Sequence, residues 1–544
     1  MLRRYRGIAL VVLAFVLAAV VVNPIGDFAL DDDFAYGRTV LNFSQGNFRV
    51  HEWLSATVVF QAFVGVLFVK LFGFSFTVLR FASILMALAG VAAAYLILRE
   101  LDFSDSLAAF GSAVLAFNPL YFSKAFNFHS DIYFLSLMLV SLLFFVKAVK
   151  MNNHVGLLFV GSVFCVFSIL VRQNGLLIPP ALVAYLWINR RARPFTALHF
   201  LVVAILPLAA FAAYGYWFYF MHGATESAGL MSQYDAAHLA DLFARLIPYR
   251  FFAFFVYIGV LLLPLTVPVL AEFFTRFSRI QKVDRVIFAA LSGIGALCIF
   301  FMYRYYGKVL FYLPTIIHST GLGPAYLQGA KQPEFAFPVL LALSFLAVLS
   351  AAAFALLARR KVAIMAKSFF GARVSEAQYL VYFISAGQLA FLLVLLAVFD
   401  RYLLPLFFPA IVLTLRERPR LRVWGVAVLV LIGIFSVAGT QDYLEWNRAK
   451  NAAIAELSSS GVPPDRIDGG FEHAAWNFYE YSRQHPEVDN SRPYDPGWIR
   501  DYFPVIDSQY VISFSPVDGY EVVNRRPYFS LLAGRQYIYT LKRA

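Results

Sequence analysis

The sequence predicts an all-α polytopic membrane protein with a small α+β domain after its last span. Three observations carry that prediction. Of 544 residues, 61% are hydrophobic and 14% charged, against about 45–50% and about 25% in soluble domains. The apolar residues gather into runs that approach the roughly 20 residues a helix needs to cross a bilayer. Beyond residue 440 that pattern gives way to a polar tail. This composition excludes a soluble enzyme, a disordered chain and a nucleic-acid-binding module. The net charge is +13 and the mean hydropathy +0.70. In such a chain an excess of Lys and Arg records membrane orientation more often than a ligand. Cys165 and Cys298 both fall in apolar runs, so no disulfide framework is expected.

Taken in order, the first span is 7–23, behind Arg3, Arg4 and Arg6. Asn23-Pro24-Ile25-Gly26-Asp27 follows it without a small-x-small cleavage site, so the span is read as retained. Further spans are expected at 78–98, 107–122, 131–149, 155–171, 175–189, 197–220, 251–271, 286–303, 336–358, 377–398, 403–415 and 421–440, about thirteen in all. The apolar stretch 54–73 is ambiguous, and charge decides it. If 54–73 does not cross, then Arg99, Lys147, Arg190, Arg279, Arg359 and Arg416 share a strongly basic face with the N-terminus, opposite a nearly neutral one. The positive-inside rule then makes the N-terminus cytoplasmic. Loop 24–77, the turn 123–130, loops 221–250 and 304–335 and the tail lie outside. The tail reads as a helix over Asp442–Ser459, with Trp446, Ala449, Ala453 and Leu457 on one face, and a second over Phe471–Ser482. Alternation over Tyr510–Phe514 and Gln536–Leu541 reads as strands. The expected division is a transmembrane domain, 1–440, and an extracytoplasmic domain, 441–544.

The outer loop opens with Asp31-Asp32-Asp33-Phe34-Ala35-Tyr36. Three adjacent carboxylates repel one another, which points to a general base or metal ligand at the bilayer surface; a helix N-terminus that suits carboxylates is the plainer account. Asp131 heads the fourth span on the same face, where an ionisable group marks a functional site by default and Ser130-Asp131 also suits a cap. Arg172 and Gln173 interrupt the apolar run between spans five and six, Arg304 and Lys308 follow span nine, and Arg401 opens span twelve. Singly each serves as an interfacial anchor; together with the acids they describe a site that holds phosphate beside a base. A divalent ion is permitted but not required, with Asp32, Glu52, His51 and His129 as candidate ligands, since their spacing matches no metal signature. No Walker loop, dinucleotide fingerprint or nucleophile elbow is present.

Several ordered motifs resemble the GT-C glycosyltransferases, close to the lipid A aminoarabinose transferases and the protein O-mannosyltransferase relatives. Asp32-Asp33-x-x-Tyr36 is similar to the family's first-loop signature and Gly46-Asn47-Phe48 to the turn after it. Leu79-Arg80-Phe81-Ala82-Ser83 resembles the entry to the second span, Asp131 the second outer acid, and Arg401-Tyr402-Leu403-Leu404-Pro405 a late-span signature. The resemblance spans about 1–440 and implies a GT-C fold and an inverting transfer of a hexosyl or pentosyl group. The donor would be a polyprenyl-phosphate sugar, and the acceptor a glycan such as lipopolysaccharide, a lipid or a protein. The reaction would take place at the outer face of a cell membrane, expected to be a bacterial inner membrane. Asp32 would take the acceptor proton and Asp131 would position substrate. Asp33, Tyr36, Arg172, Gln173, Arg304, Lys308, Arg401 and Tyr402 would bind donor phosphate or substrate. Asp31 has no counterpart, so its loss is expected only to relieve repulsion. Where the aminoarabinose transferases carry Glu-Lys-Pro, this chain has His51-Glu52-Trp53, without the lysine. The competing class is a transporter or flippase, whose ionisable residues belong near the midplane of interrupted helices; here they sit in loops and at span ends.

Overall fold

Side-chain caps mark the starts of several helices, close to where the apolar runs begin. The computed structural model describes residues 6–222, 241–313, 315–368, 374, 376–395, 397–417, 423–485, 503 and 505–544. Arg3, Arg4 and most of the expected loop 221–250 lie outside them. Helices α1 (Arg6–Val22), α2 (Asp33–Ser44), α3 (Val59–Phe72), α4 (Phe76–Glu100), α5 (Asp105–Ala116), α6 (Pro119–Lys124), α7 (Ser130–Lys150) and α8 (Val155–Ile169) form the N-terminal part. The Ser75 hydroxyl accepts from the Val78 N–H at the start of α4, and Ser104 does the same for Leu107 in α5. Among the described residues seven helices are long and apolar enough to cross a membrane, the longest being Phe337–Ser368 and Val423–Ser459.

Three expected elements differ in form. The run 107–122 is broken into α5 and α6 because Asn118 caps a new helix that begins with Pro119, a residue suited to a first turn where its missing N–H costs nothing. The run 251–271 divides at Leu262, ahead of Pro264. The span 421–440 and the tail helix 442–459 are one helix, Val423–Ser459, so the boundary at 440/441 falls inside a continuous element. Gly439 does not break it, because a Cβ there would stand 2.7 Å from Leu322 Cγ and the glycine serves close packing instead.

The stretch 54–73 contains α3, and both its flanks are tied to one end of the bundle. Thr57 Oγ1 donates to the Ile169 carbonyl and the Phe76 N–H to Asp27 Oδ1. That end is built around Arg80. Its buried guanidinium donates to the carbonyls of Pro24, Gly26, Phe28 and Phe126, which pins the first loop onto α4 and α6. The opposite end carries the pairs Lys150–Asp102 at 3.0 Å and Lys361–Glu417 at 3.3 Å.

The tail packs on the end that carries Arg80. Strands β1 (Ile317–His318) and β2 (Gly321–Leu322) form a short ribbon in the preceding loop. Strands β3 (Ile467–Asp468), β4 (Tyr510–Ser513), β5 (Tyr520–Ser530) and β6 (Gly534–Arg543) form a sheet ordered β3-β4-β6-β5, with only β3–β4 parallel. Strand β5 was not expected: its sequence Glu521-Val-Val-Asn-Arg-Arg does not alternate, and its residues are largely exposed at a sheet edge. The second tail helix is Phe471–Gln484, close to its expected bounds.

Candidate active site

The backbone turns sharply at Asp31, whose φ is +55°, a left-handed conformation that Asp tolerates better than most residues. The turn sends the three adjacent carboxylates in three directions. Asp31 points inward to Lys124 Nζ at 2.7 Å, both side chains buried. Asp33 opens α2 and turns back to accept the Leu30 N–H; burial pushes its carboxyl up to about 8. Asp32 faces outward, its side chain 20% exposed against 3% for Asp31 and 4% for Asp131.

Asp32 accepts a hydrogen bond from Trp53 Nε1 at 2.8 Å. His129 Nε2 stands 3.5 Å away and Arg401 Nη2 3.6 Å away. Burial alone pushes the Asp32 carboxyl upward, but the neighbouring His129, Arg401 and Trp53 outweigh it and hold the group below the usual carboxylate range. Asp131, in the first turn of α7, pairs with Arg172 and lies 2.8 Å from His129 Nδ1. His129 therefore bridges the two expected acids.

Arg401 lies at the centre, 3.6 Å from Asp31 and 3.4 Å from Asp131. Its short helical turn is held by Asp400, which accepts the N–H groups of Ile316, Ile317 and Arg401 itself. The Tyr402 ring packs under the Arg172 guanidinium at 4.5 Å and Arg401 at 5.6 Å. Tyr36 shares a hydrogen bond with Ser130 Oγ at 3.0 Å. Gln173 donates to the Ser55 carbonyl, holding the loop before α3.

The structure thus brings together Asp32, Asp131, Arg172, Arg401, Tyr36 and Tyr402. It does not bring in Arg304 or Lys308. Both are exposed and, among the described residues, make no ion pair with the cluster. Lys308 instead lines a separate cavity of about 560 Å³ with His318 and Glu334. Asp33 is turned away from the open face. Sequence reading missed Asp31, Lys124 and Trp53 as partners of the cluster. Only the position of Lys124 beside the outer turn signalled it.

Of the four candidate metal ligands, only Asp32 and His129 come together, joined by Asp31 rather than by His51 and Glu52. His51 is buried edge-on against Phe34, and its Nδ1 accepts from the Trp53 N–H; its ring is pushed down to about 4, by burial first and then by Arg38 and Arg483. Glu52 is 70% exposed and lies 3.6 Å from Arg483. The donor set does not fit a divalent ion. Lys124, Arg172 and Arg401 already pair with Asp31, Asp131 and Asp32 in turn, and an ion among Asp31, Asp32 and His129 would sit beside the Arg401 guanidinium.

Residues 58–217 match the family described as dolichyl-phosphate-mannose-protein mannosyltransferase. The matched stretch holds His129, Asp131, Arg172 and Gln173; the acidic turn and Arg401 lie outside it. The resemblance to membrane glycosyltransferases read from the motifs is therefore present in this stretch. Among solved structures the chain is similar to ArnT from Cupriavidus metallidurans in the apo state, at 17% identity over 97% of each chain with a TM-score of 0.41. It is similar to the same protein bound to undecaprenyl phosphate, at 15% identity over 97% of each chain and a TM-score of 0.39. A third likeness is to the archaeal oligosaccharyltransferase AglB from Archaeoglobus fulgidus in complex with an inhibitory peptide and a dolichol-phosphate. There the identity is 15%, over 93% of this chain and 64% of that one, with a TM-score of 0.45. Likeness at these values does not establish an activity. No curated protein matches the chain.

Proposed function

We propose that this protein is an integral membrane glycosyltransferase that moves a hexosyl or pentosyl group from a polyprenyl-phosphate donor to an acceptor at the extracytoplasmic face, with inversion. One observation carries the reading. Asp32 is the open carboxylate of a buried cluster, and the Arg401 guanidinium is fixed 3.6 Å from it. A base and a fixed positive charge side by side are what displacement of a phosphate leaving group requires.

The chemistry follows from those positions. An acceptor hydroxyl at Asp32 gives its proton to the carboxylate as its oxygen attacks the anomeric carbon from the face opposite the phosphate. The carbon–oxygen bond to phosphate breaks, and its electron pair leaves with the polyprenyl phosphate. Arg401, with Arg172 behind it, offsets the charge that develops on the departing oxygen. Asp131, fixed by Arg172 and His129, orients the cationic side of the site. Asp32 stays ionised at neutral pH, which is the form that accepts a proton, although its charged neighbours lower its basicity. The family match over 58–217 supports the lipid-phosphate donor class, and the basic loops opposite the site support an outward-facing orientation in a cell membrane, a bacterial inner membrane on the motif resemblance.

The test is reconstituted protein given a polyprenyl-phosphate sugar labelled in the sugar, with a glycan, lipid or peptide acceptor. The reading requires release of free polyprenyl phosphate together with label on the acceptor. Movement of the labelled lipid across the bilayer without its cleavage would make the protein a flippase and overturn the proposal.

A further inference from the structure

The polar tail makes two separate contacts with the groups that hold Asp32. Both come from the helix Phe471–Gln484. First, the Glu472 carboxylate reaches across to the acidic turn, where Oε1 accepts the N–H of Asp31 at 3.2 Å. Its other oxygen accepts from Lys450 Nζ at 2.9 Å, and both side chains of that pair are buried. Lys450 belongs to the long helix Val423–Ser459, so Glu472 is anchored on one side and fixes a backbone amide on the other. The amide it fixes is that of the residue with φ +55°, the one whose conformation turns Asp32 outward.

Second, Trp53, whose Nε1 donates to Asp32, is packed between tail aromatics. The Phe471 ring is 5.7 Å from the indole and the Tyr479 ring meets it edge-on at 5.9 Å. Edge and tilted contacts of this kind fix a ring's plane, and the plane of this indole aims its N–H. The same helix thus holds the backbone before Asp32 and the donor on its side chain.

We infer that Glu472 is a positioning residue and that the tail completes the active site rather than standing beside it. This rests on Asp32 being the base proposed above. The effect is on geometry: a carboxylate displaced by a fraction of an ångström still binds its neighbours but meets the acceptor hydroxyl badly. Misplacement on the scale of an ångström costs up to about 10²-fold in turnover.

The test compares two neutral double variants of the full-length protein in nanodiscs. Lys450→Met with Glu472→Gln removes both charges but keeps an amide oxygen within reach of the Asp31 N–H. Lys450→Met with Glu472→Leu removes the same charges and the acceptor. The first, which loses the Lys450 anchor but keeps an acceptor for the Asp31 N–H, should turn over well above the second per folded molecule. The second should lose about 10- to 100-fold in kcat while its KM for the polyprenyl-phosphate donor stays close to wild type. Glu472→Asp covers the case in which the leucine variant does not fold. It keeps the charge pair and shortens the reach, so it too should lose kcat without losing donor affinity. Equal kcat in the glutamine and leucine variants, or a fully active Glu472→Asp, would overturn the positioning role. Asp32→Asn runs alongside as the reference. If it retains wild-type turnover, the base assignment fails, and that outcome is read independently of the Glu472 comparison.

Discussion

At the scale of single residues, neighbours on one short turn have unlike roles, because the left-handed residue separates their side chains. Loss of Asp31 was expected only to relieve repulsion, and the structure corrects this: its carboxylate faces the buried Lys124 ammonium. Asp31→Asn would leave that ammonium without its partner, and breaking a buried pair costs about 3–5 kcal/mol. Folded yield and thermal midpoint in detergent should therefore fall further for Asp31→Asn than for Asp32→Asn. Asp33 gives the opposite sign. Its carboxyl rises from 3.8 to about 8 on burial, so folding keeps a proton that the unfolded chain gives up. Stability is favoured below 3.8 and lost progressively as pH rises towards about 8. Asp33→Asn should therefore gain on wild type across that window and reach a constant advantage above it, measured as the difference in thermal midpoint against pH. A flat difference would return Asp33 to the substrate side. The acidic triplet was visible in the sequence, but its division of labour was not, because it depends on one backbone angle and on partners nearly a hundred residues away.

At the scale of elements, the site is held by connections that the hydropathy pattern does not encode. Arg80, read from the sequence only as part of the motif that enters the second span, binds four loop carbonyls. Each buried acceptor left unpaired costs about 1–3 kcal/mol. Arg80→Met should lower the thermal midpoint far more than a surface substitution, and Arg80→Lys should recover only part of it because an ammonium lacks the guanidinium's spread of donors. A midpoint for Arg80→Met near wild type would show that the loop is held elsewhere. Most of the seven long apolar helices among the described residues were legible because each falls on a long apolar run. Breaks at Asn118-Pro119 and at Leu262 were less so, since runs of apolar residues continue through both. The edge strand β5 was hidden for the reverse reason: a largely exposed strand has no buried face to impose alternation.

At the scale of the whole molecule, the acids, their cationic partners and the tail lie at one end, and pairs such as Lys150–Asp102 lie at the other. On the positive-inside rule, the first end is proposed to face outside. With Cys298 replaced, single cysteines at the exposed positions Gln45 and Ala192 should label from opposite sides of a sealed vesicle with an impermeant reagent. Labelling of both from one side would refute that orientation. That Asp32, Asp131, Arg172 and the tail share one end was legible from the pattern of loop charge. The tail's part in the site was not, because Glu472 acts through a contact 441 residues away in sequence. The proposed proton transfer to Asp32 as a polyprenyl phosphate departs is tested by the rate of polyprenyl phosphate release by wild type and Asp32→Asn, each per folded molecule and with donor binding measured in parallel. The substitution keeps the shape and removes the base, and general-base catalysis is worth about 10²–10⁴-fold. Release should fall by that order with donor affinity unchanged; an Asp32→Asn protein that keeps a tenth of the wild-type rate would contradict the account.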